Sequence, residues 1–567
     1  MTCRRGGAHS GAVSATSSPP PPQGVPPAAG PKAGGGLIRA SMVYSGLTLM
    51  SRFLGLARDL VITARMGASQ TIAADAFFTA QAFSNLFRRV FAEGAFAAAF
   101  VPAYSRKLSA DGGREADGLA SDALAVMAAA TVALTILAQL AMPWIMLVYS
   151  PGYIDDPDKF RLAVILTQIT MPYLPCMVIA ALLAGVLTAR GRFIIYGVYP
   201  VVLNIGVLAA VLPQTDPVQA AYAASWATIA SGVAQAGLCA WGVRRAGARI
   251  RFVMPQLTPE VRRLIRLTIP GAVASSAVQV NIFISTMLAS HVAGLRVWMS
   301  VADRFYQLPL SLVGTAIGVA LLPQLSRAFA QDDLGEGQAV MDQALVFGLA
   351  LCLPAAAALV AMPVYLVDGL FTRGQFLAED ARAAGLILLQ YGWGLPAFVL
   401  VKILQPAFFA RQDTRTPMVF SLVSVAVNIA LGVALFHTIG FTGLAAATSI
   451  ATWITVVQMA FTLHRRGAYL PSAAAWTRIA RIVAASLALG ALLALAAHFR
   501  AVLEAPLAGL SLLGLGAKEL TVLAVCLAGA AAYIGLLLLF GGMSLAEVRA
   551  ALRRPAGQTA TPEADLS

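Results

Sequence analysis

A chain of 567 residues with 59% hydrophobic and 12% charged side chains and a mean hydropathy of +0.76 carries about half the charge of a soluble globular domain. Apolar stretches of about 20 residues recur almost end to end, so the sequence reads as a polytopic helical membrane protein, and their continuity excludes an alternating transmembrane β-barrel. The 40 Lys and Arg against 26 Asp and Glu lie mostly in short loops between those stretches, a topology pattern that argues against a nucleic-acid partner.

Residues 1–40 contain PPPPQGVPPAAGPKAGGG, with four cations and no acid. The tract is too polar and too broken to fold, and it lacks a signal-peptide core, so the first span is expected to act as an uncleaved insertion signal. Fourteen spans are predicted after it, at 42–67, 74–104, 120–149, 160–188, 193–212, 218–243, 264–291, 298–325, 343–366, 383–410, 417–437, 441–463, 482–498 and 518–541. With the N-terminus inside, the inner loops hold 19 Lys and Arg and the outer loops 7. Both termini are therefore expected on the cytoplasmic side, with the basic stretch Arg244–Arg251 acting first as a topology determinant. Cys176, Cys239, Cys352 and Cys526 fall inside spans and the five histidines are scattered, so neither a disulfide framework nor a metal site is expected.

The chain also repeats itself at a shift of about 221 residues, the kind of period that marks an internal duplication. Leu174-Pro175 with Ala189-Arg190 matches Leu395-Pro396 with Ala410-Arg411, and Pro102-x-x-Ser105-Arg106 matches Pro323-x-x-Ser326-Arg327. Ala141-Met142-Pro143 recurs at 361–363, and Leu203-Asn204-Ile205 matches Val427-Asn428-Ile429, close to the same register. The shift covers six spans, an even number, so the copies share one orientation and are related by an axis along the membrane normal. The expected fold is all-α, with a disordered N-terminus at 1–40, an N-lobe at 41–245, a C-lobe at 246–466, an appended helix pair at 467–541 and a cytoplasmic tail at 542–567.

Ionisable residues within spans carry the functional signal, because each costs roughly 2.5 to 3.5 kcal/mol at a helix centre. The first span has Arg52, Arg58 and Asp59; the second has Asp75, Arg88, Arg89 and Glu93; the eighth has Asp303 and Arg304; the tenth has Lys402. Arg89 and Glu93 stand four apart and suit a direct pair, whereas Asp59 lies about 10 Å along the helix from Arg52. Arg58, Arg88 and Arg304 are left without an obvious partner on their own helices, their immediate neighbours being expected to point elsewhere. At roughly 3 kcal/mol each, three unpaired guanidinia would cost about as much as a domain's whole net stability, unless a wet cavity or an anionic ligand offsets them. Arginine rather than lysine favours a forked, permanently charged grip on phosphate oxygens. Arg52, Arg58, Arg88 and Arg304 are thus the candidate substrate-binding residues, with Asp59, Asp75, Glu93, Asp303 and Lys402 as supporting charges. The alternative is structural salt bridges between helices. Pro102, Pro175, Pro323 and Pro396 read as ordinary kinks or as hinges.

At these residues the chain resembles a known family. SRFLGLARDLVITARMGAS, ADAFFTAQAFSNLFRRVFAEGAFAAAFVPAYS, SVADRFYQLPLSLVGTAIGVALLPQLSR and RQDTRTP are similar, in order, to the signature stretches of the MurJ/MviN lipid II flippases. The resemblance spans about residues 40 to 540 and implies the fourteen-helix fold of the multidrug/oligosaccharidyl-lipid/polysaccharide exporter superfamily. It further implies a non-enzymatic transporter of the bacterial cytoplasmic (inner) membrane serving peptidoglycan synthesis. The central cavity would take the diphosphate and sugar-peptide headgroup of undecaprenyl-linked lipid II by alternating access. Arg52, Arg58, Arg88 and Arg304 match the family's cavity arginines, Asp59, Asp75 and Glu93 its acidic partners, and the last two helices form a groove for the polyprenyl tail. One departure is Gln307, where the family often has an acid. No cofactor is expected, the energy coming from a coupling cation or the membrane potential. Partners are lipid II and membrane lipids, with cell-wall synthesis proteins admitted by the resemblance. Two rival readings are a cation-coupled drug exporter of the same superfamily, which would want an excess of cavity acids, and a non-transporting scaffold for cell-wall enzymes.

Overall fold

The computed structural model describes residues 34–91, 95–330, 334–509 and 516–542. Within them the chain is all-helical: α1 Gly34–Met66, α2 Ile72–Phe91, α3 Ala95–Ala110, α4 Gly113–Tyr149, α5 Pro157–Thr170, α6 Tyr173–Ala189, α7 Phe193–Val211 and α8 Pro217–Arg245. They are followed by α9 Pro259–Ala289, α10 Leu295–Ala330, α11 Leu334–Ala361, α12 Pro363–Phe371, α13 Ala378–Phe409, α14 Arg415–Ile439 and α15 Thr442–Arg465. The last are α16 Ala473–His498, α17 Arg500–Glu504 and α18 Ala517–Phe540. The order is consistent with fourteen spans: α2 with α3, and α5 with α6, are halves of single predicted spans, and α12 and α17 are short. α1 starts at Gly34, inside the tract expected to be unfolded to residue 40.

Several boundaries follow from local chemistry. Asp156-Pro157, Asp216-Pro217 and Thr258-Pro259 each place a capping oxygen before a proline, and the caps accept from the backbone N–H groups of Lys159, Gln219 and Val261; proline's missing N–H is no loss in a first turn. The break between α5 and α6 falls at Met171-Pro172, not at Pro175, which sits in the first turn of α6. Asp413 caps α14, accepting from the Thr416 N–H at 3.0 Å, the Thr416 hydroxyl at 2.6 Å and Arg466 at 2.7 Å. Led by the Thr416 hydroxyl bond, these contacts hold its carboxyl down at about 2. Its contribution to the turn is therefore present above the usual carboxylate range and lost only as pH falls through about 2. The RQDTRTP stretch is accordingly a structural turn.

Eight helices among the described residues are long and apolar enough to cross a membrane, namely Gly113–Tyr149, Pro157–Ala189, Gly335–Ala361, Ala378–Phe409, Arg415–Ile439, Thr442–Arg465, Ala473–His498 and Ala517–Phe540. The predicted spans that carry Arg52, Arg58, Arg88 and Arg304 hold charge within the helix, and those helices are the ones that need an interior.

The duplication is visible in which helices touch. In the first half α1 packs on α7, α3 on α4 and α6, α4 on α6, α6 on α8, and α7 on α8. In the second half α9 packs on α14, α10 on α11 and α13, α11 on α13, α13 on α15, and α14 on α15. Each contact of one set has its counterpart in the other, the pattern of a parallel repeat. α16 packs against α11, and α18 against α16 and α12, so the last helices extend the second half only.

Candidate functional site

The cavity between the halves has a free volume of about 390 Å³. Its polar wall is set by helical spacing. Gln81, Asn85 and Arg88 line it from α2 at i, i+4, i+7, and Arg304, Gln307, Leu308 and Ser311 line it from α10 at i, i+3, i+4, i+7, each set forming one face. Ser51, Arg52, Gly55 and Arg58 of α1 join the wall, and Tyr173, Tyr199, Asn204 and Gln235 of α6, α7 and α8 add further polar lining. Arg52, Arg58, Arg88 and Arg304 thus meet at one chamber, and Gln307 lies beside them.

Asp59 is tucked behind this surface at 3% exposure. Its Oδ1 accepts from Arg58 Nε at 2.9 Å and Nη2 at 2.7 Å, and its Oδ2 accepts from Arg304 Nε at 2.5 Å. This corrects the expectation that Arg58 has no partner on its own helix: the adjacent carboxylate does reach it, because the long guanidinium stem folds back along α1, whereas Arg304 finds its carboxylate on α1 and not on its own helix. One buried carboxylate therefore joins a cation of the first half to a cation of the second. Arg58 Nη1 also donates to Asn204 Oδ1 at 3.1 Å, and Asn204 Nδ2 donates to the Ser51 backbone oxygen at 2.9 Å, so α7 fixes the depth of α1. Arg88 Nε donates to Asn85 Oδ1 at 3.0 Å. Among the described residues the lining carries four guanidinium groups and no acid.

Other predicted supporting charges lie elsewhere. Asp75 is not a partner of the cavity arginines: it is 1% exposed, accepts from Lys159 Nζ at 2.6 Å and from the Gly294 N–H at 2.8 Å. Asp303 has contacts of its own and lies near the Tyr391 hydroxyl of α13. Lys402 is exposed on α13 and outside the cavity lining; a span charge turned outward is what the expectation of an inward face missed. Glu93, and the side chain of Arg89 with which it was expected to pair, lie outside the described residues.

The end of the bundle where α1 terminates is sealed across the halves. Gln375 N–H donates to Ala64 O at 2.9 Å, and the Ser69 N–H and hydroxyl donate to Asp380 Oδ1 at 3.1 and 2.6 Å. Gly152 N–H donates to Ser290 Oγ at 3.0 Å. Arg296 of α10 is buried in this seam, donating to Thr79 Oγ1, Ser150 Oγ and the backbone oxygens of Tyr149 and Thr286. Its guanidinium also lies 5.3 and 5.0 Å from the ring centres of Tyr149 and Tyr153, within cation–π range. Arg296, Lys159, Asp380 and Asn204 were not singled out for this role from the sequence. The Asp156-Pro157 cap, which sets Lys159 in the first turn of α5, was the available signal. At the opposite end, Lys107 pairs with Glu260 across the halves.

The seal depends on bare backbone at Gly374, whose φ is +57° and where a Cβ would stand 2.2 Å from Ala64 O. Gly374→Ala is therefore expected to prop this end open. A lowered melting temperature and faster thiol labelling of a cysteine placed at Ser69 should report it; unchanged labelling counts against a tight seal here.

Residues 62–507 match the family model described as Lipid II flippase MurJ. The chain is 39% identical over 534 residues to a Rhizobium meliloti protein named probable lipid II flippase MurJ, covering 93% of this chain and 98% of that one. It is 32% identical over 464 residues to the Lipid II flippase MurJ of Burkholderia cenocepacia, covering 81% and 89%. Among solved structures, "Lipid II flippase MurJ, inward closed conformation" superposes with a TM-score of 0.73 at 22% identity, over 90% of this chain and all of that one. An inward-facing multidrug resistance MATE family transporter of the MOP superfamily superposes at 0.61 and 15% identity, over 76% and 98%. At those identities the structural likeness speaks for the fold.

Proposed function

This chain belongs to the MurJ family of lipid II flippases, and on that premise we propose that it moves lipid II from the inner to the outer leaflet of the bacterial cytoplasmic membrane. The observation that carries this reading is the arginine chamber: guanidinium groups from both halves face one cavity, with their shared carboxylate withdrawn behind the wall.

The chemistry follows from charge. A diphosphate brings two or more negative charges and forked oxygens, which suit Arg58, Arg88 and Arg304 better than any point cation. The undecaprenyl tail stays in lipid, alongside α16 and α18 where they pack on the second half, while the sugar-peptide headgroup enters the chamber. The N-lobe, residues 41–245, and the C-lobe, residues 246–466, then rock about the bound headgroup, opening the seam at Ala64, Ser69 and Arg296 and closing the other end. The loop charges support a seam on the outer side and both termini inside. No covalent step is required. Membrane potential, worth about 2.3 kcal/mol per elementary charge per 100 mV, or a coupled cation supplies the direction. An exporter of organic cations is disfavoured, since four arginines facing one cavity repel them.

The test is reconstitution of the full chain in vesicles carrying fluorescent lipid II on one leaflet, with a membrane-impermeant quencher reporting its movement. Movement is expected for the parent chain, with a loss of about tenfold or more for Arg88→Lys, which keeps the charge but removes the fork. Equal movement in protein-free vesicles overturns the transport reading; full activity of the lysine variant overturns the forked grip.

A further inference from the structure

We propose that residues 249–258, the joint between the two repeat units, form a fixed shelf that docks on anionic phospholipid at the membrane boundary, with Phe252 and Met254 entering the acyl region.

Three observations point there. The first is charge. Residues 244–266 hold seven arginines and a single acid, Glu260, which is already paired with Lys107. The second is exposure: Phe252 and Met254 stand 76% and 79% exposed, beside exposed Val253 and Leu257. Apolar side chains alternating with arginines, Arg249-Ile250-Arg251-Phe252, suit a surface that is anionic at its face and apolar just beneath, with the arginine stems reaching between the two.

Depth is the third observation. The segment contains no helix, yet it does not hang free. The Arg249 N–H donates to Asp117 Oδ2 at 2.7 Å and the Arg251 N–H donates to Ser121 Oγ at 3.0 Å. Asp117 is itself held by Arg190 Nη2 at 2.7 Å and the Tyr104 hydroxyl at 2.9 Å, and Arg190 also donates to Ala246 O at 3.3 Å. The anchor points sit in the first turns of α4, whose last charged residue is Asp122; residues 123–149 carry none. That run is about 40 Å long, more than the roughly 30 Å hydrocarbon core. The run exceeds the core by only about 10 Å, so the hydrocarbon boundary on this side lies within about two helical turns of Asp122 and of the bond from Arg251 to Ser121. A soluble acidic protein or a nucleic acid would find the arginines at this depth but no reason for Phe252 and Met254.

Anchoring the joint in this way sets the level at which the two halves are hinged relative to the lipid. The inference rests on membrane insertion and not on what is transported.

Phe252→Trp in the full chain, reconstituted in phosphatidylcholine vesicles with or without phosphatidylglycerol, tests it. The added emission, taken as the difference from the parent with its seven tryptophans, is expected to be quenched by lipids brominated near the headgroup. Quenching should be at least twofold stronger with phosphatidylglycerol present, and this gain should vanish in a variant with Arg249, Arg251, Arg262 and Arg263 each replaced by Gln. Added emission that is quenched by aqueous iodide and untouched by brominated lipid overturns the proposal and leaves the arginines as topology determinants. Bromolipid quenching that ignores phosphatidylglycerol overturns the anionic preference.

Discussion

Asp59→Asn is expected to abolish transport and to loosen the protein at once. The carboxylate joins Arg58, whose side chain is 7% exposed, to Arg304, whose side chain is 37% exposed. Removing its charge leaves the Arg58 guanidinium buried without a counter-charge, a loss on the order of 3 kcal/mol. Arg304 loses less because it reaches the chamber. The amide oxygen still accepts from one arginine, but the charged tie between the halves is gone. Two measurements separate a site defect from a folding defect. Thermal unfolding in detergent should show the variant less stable than the parent, and added pyrophosphate should raise its melting temperature more than the parent's, because phosphate oxygens then take the place of the lost carboxylate. Headgroup movement in vesicles should fall by more than tenfold. A variant with parental stability and transport, indifferent to pyrophosphate, would show that the bridge has no part in binding.

The same bridge explains which parts of the site were legible in the sequence. The structure adds the helical faces on which Arg88 and Arg304 stand, but their convergence followed from the intolerance of lipid for charge and from the repeat that makes two halves meet. The partnership of Arg58 with Asp59 did not, because adjacent residues on a helix diverge at Cβ and only the length of the arginine stem lets it return. Asn204 was visible as a repeat residue and not as a ligand; its role appears once α7 is packed on α1. Lys402 shows the opposite failure. A charge within an apolar run was read as inward, whereas this one is exposed, an option open to a long stem that can snorkel. Lys159 and Arg296 were counted as loop cations because they lie at helix starts, where sequence gives no depth. The fold itself was easier, since an all-helical chain with a six-span repeat follows from hydropathy and internal similarity alone.

Those two overlooked cations lead to the second large effect, at the sealed end. Asp75→Asn leaves Lys159 6% exposed and without a counter-charge, with a neutral amide oxygen and the Tyr153 ring 4.4 Å away as its remaining partners. Breaking one side of a buried pair costs about 3 to 5 kcal/mol, and Gly294 loses its charged acceptor across the halves in the same step. Lys159→Met alone strands Asp75 in the same way, whereas the double variant removes both charges and should recover most of the stability, with a coupling of roughly 2 kcal/mol or more. The readouts are melting temperatures of the four proteins and thiol labelling of a cysteine placed at Ser290, which the Gly152 bond covers in the closed seam. Labelling should rise in each single variant and fall back in the double. If the two single losses simply add, the pair is not the unit that holds this end shut, and closure then rests on Arg296, whose bonds to Thr79, Tyr149 and Ser150 of the first half must be released when the halves part.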